Sequence, residues 1–243
     1  MPVTLCYANV YLRTSFLGGL INFPGSSEFS GYVGMLQSIV LPNGNAWTFE
    51  YSGANPSDNS SYAYGDLLKV TFPTGGSISY TWSSAIKCSG DLGVNTGRSV
   101  TSRTVNANDG SGPHAWNYSW GSGSPIQNIA TDPLSNDTVY TITSGCSEYV
   151  TQEQRYQGSH TSGSLLKTIS TQYAFGANPF VIQAGLVGSA LPTQITTTWP
   201  NGQVAQIQKS YDSGFTFLDP TWNIQSTCPT CHVNGGPYPG TYG

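Results

Sequence analysis

Large apolar side chains recur at every second position in several stretches of this chain, with Ser, Thr or Lys between them. Leu68, Val70 and Phe72 share one parity, and Ile78, Tyr80 and Trp82 share one parity beyond Pro73-Thr74-Gly75. Side chains that alternate in this way line one face of a strand, so the stretch predicts a hairpin with one apolar face. Ile39 and Leu41 likewise run into Pro42-Asn43-Gly44, and Trp47, Phe49 and Tyr51 run out of it. Trp47 follows Leu41 by the same interval as Ile78 follows Phe72, which predicts one shared register. Trp199-Pro200-Asn201-Gly202 opens a third copy, in which Ala205, Ile207 and Tyr211 keep the parity of Trp199 while Lys209 interrupts it. Pro fixes φ at the first central position of a turn, and Asn-Gly or Gly-Gly supplies the positive φ that tight hairpins require. Pro42, Gly44, Pro73, Gly75, Pro200 and Gly202 are therefore predicted turn formers with a structural role.

The same alternation continues with other punctuation. Val100, Ser102 and Thr104 lead into Asn106-Ala107-Asn108-Asp109-Gly110-Ser111-Gly112, and Trp116, Tyr118 and Trp120 lead out. Asp132 to Asp137 turns the chain before Val139 to Ile142. A Gly/Ser loop from Gln157 to Ser164 separates Tyr149–Tyr156 from Leu165–Tyr173. No stretch of ten residues has the period of an amphipathic helix, and 29 Gly and 15 Pro in 243 residues favour strands and turns. The predicted fold is all-β, with consecutive antiparallel β-hairpin repeats forming a long curved sheet over residues 1–225. A Gly/Pro/Cys-rich loop or tail is expected at 226–243. Isolated hairpins are marginal in water, so each must lean on its neighbours.

Tyr64-Gly65-Asp66-Leu67-Leu68-Lys69-Val70-Thr71-Phe72-Pro73-Thr74-Gly75 resembles the unit of the RHS or YD-repeat family, and Tyr211-Asp212-Ser213-Gly214 resembles the opening of another unit. The likeness covers residues 36–83 and 193–214. Polar insertions such as Ser52 to Ser61 stretch the spacing, and most copies lack the Tyr-Asp pair. The resemblance implies a sheet that coils into a shell around a C-terminal toxin or other cargo, or an extended surface protein acting between bacteria. It implies no catalysis by these residues, partners in the adjacent repeats of the same polypeptide, and a secreted or cell-surface location.

Charge narrows the partners. Only 8% of residues are charged, against about 25% in a typical soluble domain, and the net charge is -4. Nucleic acid is excluded as a partner, because phosphate neutralisation needs clustered Lys and Arg and the eight basic residues here are scattered. Leu5 to Phe23 is too polar for a membrane span, and no signal peptide is recognisable in the segment. Strand edges are usually guarded by Lys, Pro or bulges. With few such guards, the chain is expected to be a segment of a longer polypeptide whose neighbouring repeats cover its edges.

Several residues are candidates for chemistry. Cys228-Pro229-Thr230-Cys231-His232 has the C-x-x-C-H form of c-type haem attachment, where two thiols hold the haem and the His ligates iron. Cys228, Cys231 and His232 with a distant cysteine also suit zinc, and a local disulfide or free thiols in a polar loop is the plain alternative. Cys6, Cys88 and Cys146 are isolated. Asn106 to Gly112 has the oxygen-rich look of a calcium loop but offers one carboxylate, and an Asx-type turn explains it as well. No G-x-S-x-G elbow occurs. His114, His160 and His232 all fall in or beside loops, and Glu50, Asp66, Glu148 and Glu153 give no reason to pick a catalytic pair. Asn59, Asn117 and Asn136 sit in glycosylation sequons. Trp82, Trp116 and Trp120 could stack on the pyranose faces of a cell-surface glycan in a secreted carbohydrate-binding β protein. The competing expectation is that these rings pack across strands, since their parity matches that of the aliphatic residues.

Overall fold

The computed structural model describes residues 2–16, 28–90, 93–121, 125–143, 149–176 and 189–211, together with four short strands nearer the C-terminus. For those short strands and for residues 85–90, 93–96, 175, 176 and 189, only the backbone is described. All regular structure among the described residues is β. The chain divides into two compact units, Met1–Trp120 with Ala130–Ser135, and Gly121–Ile129 with Asn136–Gly243.

The first unit holds β1 (Thr4–Arg13), β2 (Ser30–Val40), β3 (Ala46–Tyr51), β4 (Leu67–Thr71), β5 (Ser77–Gly90), β6 (Gly93–Asn106) and β7 (Pro113–Ser119), each antiparallel to the next. β8 (Ile126–Thr131) is shared between the units. The second unit holds β9 (Asp137–Ile142), β10 (Val150–Gln157), β11 (Ser164–Gly176), β12 (Ser189–Thr198) and β13 (Val204–Gln208), again paired in chain order. Consecutive antiparallel strands are the arrangement that the alternation predicts.

The three Pro-x-Gly turns are one object. Gly44, Gly75 and Gly202 each donate their N–H to the carbonyl three residues back, on Leu41, Phe72 and Trp199, at 2.9 Å. Those same residues donate their own N–H to Asn45, Gly76 and Gln203 at 2.8–3.0 Å. Each glycine sits at φ between 82 and 88°, while Asn43, Thr74 and Asn201 have ordinary φ. The turn is thus a type I turn closed by a left-handed glycine, so within Asn-Gly it is the glycine that supplies the positive φ. Asn43 and Asn201 act otherwise, accepting the N–H of Asn45 and Gln203 at 3.1 Å. Register follows geometry: Val40 faces Ala46, Thr71 faces Ser77 and Thr198 faces Val204. The third copy is as regular as the others, because Lys209 lies beyond β13. Asp132-Pro133-Leu134-Ser135 closes in a related way, with Ser135 N–H donating to Asp132 at 2.9 Å and Ser135 at φ 62°.

In the first unit the register separates two faces. Thr48, Thr71, Ser77 and Asn106 lie opposite one another along one row, and Glu50, Lys69, Ser79 and Thr104 along the next of the same parity. On the other face Phe49, Val70, Ile78 and Val105 form one row, and Tyr80, Arg103 and Trp116 another. Residues this far apart in sequence share a face only because each hairpin keeps its register. Burial is modest. Leu12, Ala54, Ala63, Val139 and Ile142 are the buried apolar residues, and no large side chain among the described residues is fully enclosed.

The polar insertion between β3 and β4 folds back onto β1. Ala54 N–H donates to Tyr11 at 2.8 Å, and Arg13 and Ala63 exchange backbone bonds at 3.2 and 2.9 Å. In an antiparallel ladder the groups of alternate residues point away from the partner strand, so these bonds occupy the edge of β1 that faces away from β2. The chain therefore guards the Tyr11–Arg13 end of this edge itself, where few guards are expected. Gly53 and Gly65 allow the approach, since an added Cβ would stand 3.2 Å from Val10 Cγ1 and 3.2 Å from Leu12 Cδ1. Asp66 locks the end of the insertion by accepting Arg98 Nη2 at 2.7 Å and Nε at 3.1 Å. The Arg98 guanidinium also lies 4.6 Å from the Tyr64 ring centroid.

Nearer the C-terminus, the backbone of Cys228–Val233 pairs with Gly236–Tyr238, a short ladder where the composition suggests a loop or tail. Thr230 and Val233 are β-branched and suit a strand.

Candidate functional site

The ring-bearing face of the first unit is where the sequence candidates gather. Alternation along β3, β4, β5 and β7 places Trp47, Phe49, Val70, Phe72, Ile78, Tyr80, Trp82 and Trp116 on it, and all are half-buried. Trp47 and Phe72 meet edge to face at 4.8 Å between centroids, and Tyr80 and Trp82 lie 6.4 Å apart. Trp47 and Phe72 cover one another across strands as packing residues do, while Tyr80 and Trp82 are neighbours along β5. Trp82 Nε1 donates to the Leu67 carbonyl at 2.9 Å, and Trp120 Nε1 to the Val100 carbonyl at 3.0 Å. Trp116 carries the Arg103 guanidinium over its ring at 4.5 Å. Trp120 is the most open of the three candidate tryptophans, 44% exposed just beyond β7.

Arg103 is the residue that sequence reasoning missed. Tyr80 and Trp116 lie directly opposite it on β5 and β7, so the cation stands in the middle of an aromatic row. Its Nε is shielded from water and has no hydrogen-bond partner. The signal was its parity with Val105, which a residue between Ser102 and Thr104 does not advertise.

The other face is built from hydroxyls and one ion pair. Glu50 and Lys69 approach to 3.7 Å across β3 and β4, both largely exposed, and Thr81 and Thr101 hydroxyls bond at 2.9 Å. At the turns, Gly44 and Gly202 have open space where a Cβ would be, whereas at Gly75 it would stand 2.7 Å from Asn108 Nδ2.

The remaining candidates separate by geometry. Asn108 N–H bonds Asn106 Oδ1 at 2.9 Å and Ser111 N–H bonds Asp109 Oδ1 at 3.0 Å, both Asx turns. The Ser111 hydroxyl and then its N–H hold the Asp109 carboxyl below its ordinary pKa. Asn108 Nδ2 donates to the Thr74 carbonyl at 3.2 Å, so this loop braces the neighbouring Pro-x-Gly turn.

In the second unit His160 Nδ1 meets the buried Asp137 carboxylate at 2.7 Å, and His160 N–H bonds the same oxygen at 2.9 Å. Asn136 Oδ1 accepts Gly158 N–H at 2.9 Å, completing a clamp between the β8–β9 turn and the loop after β10. Ser159 bonds Thr161 at 3.0 Å, so the adjacent serine is engaged away from the histidine. His114 bonds Ser111 at 3.1 Å, and Glu153 bonds Arg155 at 2.5 Å. Burial raises the Tyr173 phenol, whose hydroxyl donates to the Val150 carbonyl at 2.6 Å.

Cys6 is a half-buried free thiol. Cys146, Glu148 and Asp212 to Gly214 lie outside the described residues, as do the side chains of Cys88, Cys228, Cys231 and His232. Among the described residues no three His, Cys, Asp or Glu side chains stand close enough to hold a metal ion. Against known proteins, the chain matches no family model and no curated sequence.

Proposed function

We propose that this chain is a non-catalytic structural segment of an RHS- or YD-repeat protein. On this reading it forms part of a β-sheet shell that encapsulates or presents a C-terminal toxin or other cargo, or part of a cell-surface contact protein. One observation carries it: three widely separated turns share a single hydrogen-bond pattern, a single glycine conformation and a single register. A unit copied so closely extends a sheet by repetition. β13 supports the same reading, since all five of its residues are exposed, with Val204 at 60% and Ile207 at 57%. Such a strand is a template for another strand, which adjacent repeats of the polypeptide would supply. The expected location is secreted or cell surface.

The purified 243-residue chain is expected to associate in light scattering. Lys at both Val204 and Ile207 is expected to suppress that association by charging the edge. A monodisperse monomer of the unaltered chain at micromolar concentration counts against the proposal. Trp120 favours a second reading as a carbohydrate binder by its exposure. Saturable binding on a glycan array, abolished by Trp120→Ala while circular dichroism is unchanged, would transfer the function to it.

A further inference from the structure

On the apolar face of the first unit, the cation of Arg103 has no anionic partner among the described residues. Arg98 is paired with Asp66, and Arg13 donates to the Asp58 carbonyl and the Tyr11 hydroxyl. Glu50 faces Lys69, Asp109 and Asp58 accept from Ser111 and Ser60 in their own loops, and Glu28 accepts from Thr14. Among the described residues Arg103 has neither an ion pair nor a hydrogen bond, and its Nε is closed to water. The shielded Nε–H goes without an acceptor, which costs free energy, while the residue as a whole is half-buried. The contact with Trp116 is a cation held 4.5 Å from a ring centroid and takes no hydrogen bond to an oxygen acceptor. The N–H donors of a guanidinium lie in its plane, so the terminal nitrogens keep the fork that takes a carboxylate through two parallel bonds.

We propose, building on the shell reading above, that this face receives a polypeptide segment in which apolar side chains surround one Asp or Glu, and that this carboxylate pairs with Arg103. Charge complementarity selects the acid. The breadth of the face selects polypeptide over saccharide: the row beside Arg103 runs Phe49, Val70, Ile78 and Val105 across four strands without a hydroxyl or amide. A sugar needs such polar groups beside its stacking ring, and the ring nitrogens of Trp82 and Trp120 are already bonded to backbone. Apolar side chains bury against an aliphatic row, and the single carboxylate fixes their register.

A pair of probes tests this: acetyl-Leu-Phe-Glu-Phe-Leu-amide and the same peptide with Gln at the centre, titrated into the full chain and followed by tryptophan fluorescence. The Glu peptide is expected to bind about tenfold or more tightly than the Gln peptide, the difference that a charge-assisted hydrogen bond makes. Arg103→Met is expected to erase the difference while leaving the common apolar part, and Arg103→Lys to restore a fraction of it. Circular dichroism checks that each variant folds. If Arg103→Met does not fold, the two peptides on the unaltered chain and on Arg103→Lys still decide. Equal binding of the two peptides overturns the proposal, as does binding of neither. Arg103-dependent binding of an oligogalacturonate with no peptide binding also overturns it and assigns the face to acidic saccharide. A monomeric chain that still prefers the Glu peptide sinks the shell reading alone; an associating chain indifferent to the central residue sinks this site alone.

Discussion

At the scale of single residues, the turn glycines differ in what surrounds one shared conformation. Gly44, Gly75 and Gly202 all hold φ near 85°, where an L side chain is strained by about 1–2 kcal/mol. Around Gly44 and Gly202 nothing else opposes a methyl group, but at Gly75 it would meet Asn108 Nδ2 at 2.7 Å. Gly44→Ala and Gly202→Ala are therefore expected to cost about 1–2 kcal/mol each, and Gly75→Ala measurably more, because Asn108 must give up its bond to Thr74. Ser135 occupies the same region without being glycine, so Ser135→Gly is expected to be neutral or stabilising. Urea midpoints of the four variants check the order, and equal costs at Gly75 and Gly44 would deny Asn108 its bracing role. The glycines were legible in the sequence because Pro-x-Gly is a local code. Ser135 was not, since nothing in the residue type announces a left-handed φ that the flanking strands impose.

At the scale of elements, strands were legible and the insertion between β3 and β4 was not. Alternation exposes a half-buried strand, so β2 to β5 and β7 could be read between Ile39 and Trp116 with their faces assigned, whereas β6 was read through Ser102 and Thr104 and the ladder puts Arg103 and Val105 on the apolar face instead. The stretch from Ser52 to Asp66 has no period. Its order comes from backbone bonds to the edge of β1 and from side chains distant in sequence. Arg98 and Asp66 carry that order, with side chains 19% and 7% exposed. Removing the cation strands a carboxylate that is almost wholly buried, so Arg98→Met is expected to destabilise the first unit by about 3 kcal/mol. Asp66→Asn is expected to cost less, because an amide oxygen still accepts from Arg98. Thermal unfolding of both variants is the measurement. A loss below about 1 kcal/mol for Arg98→Met would reduce the pair to the worth of a surface ion pair. The same reasoning places the Arg103 row on the page only after register is known: parity alone puts Tyr80 and Trp116 on a face, whereas the ladder puts them on either side of one cation.

At the scale of the whole molecule, all described strand pairs within each unit join neighbours in the chain, and among the described residues five apolar side chains are all that reach burial. Apolar side chains of the first unit therefore shelter against strand neighbours on a surface that water still reaches. Unfolding should expose less new apolar area than in a globule of equal length, and the slope of stability against urea scales with that area. The expectation is a slope below that of two-layer domains of similar size, together with a fluorescence rise when 8-anilinonaphthalene-1-sulfonate meets the native protein at dilutions where it is monomeric. Exposed hydrophobic surface with a fixed, hydrogen-bonded ladder separates this state from a molten globule, which loses its near-ultraviolet circular dichroism. Native dye binding with retained near-ultraviolet signal from the Trp and Tyr rings would place the apolar face in contact with solvent. A globule-like slope with no dye enhancement would mean that other parts of the chain cover it, and the partner expected at Arg103 would then have no surface to meet.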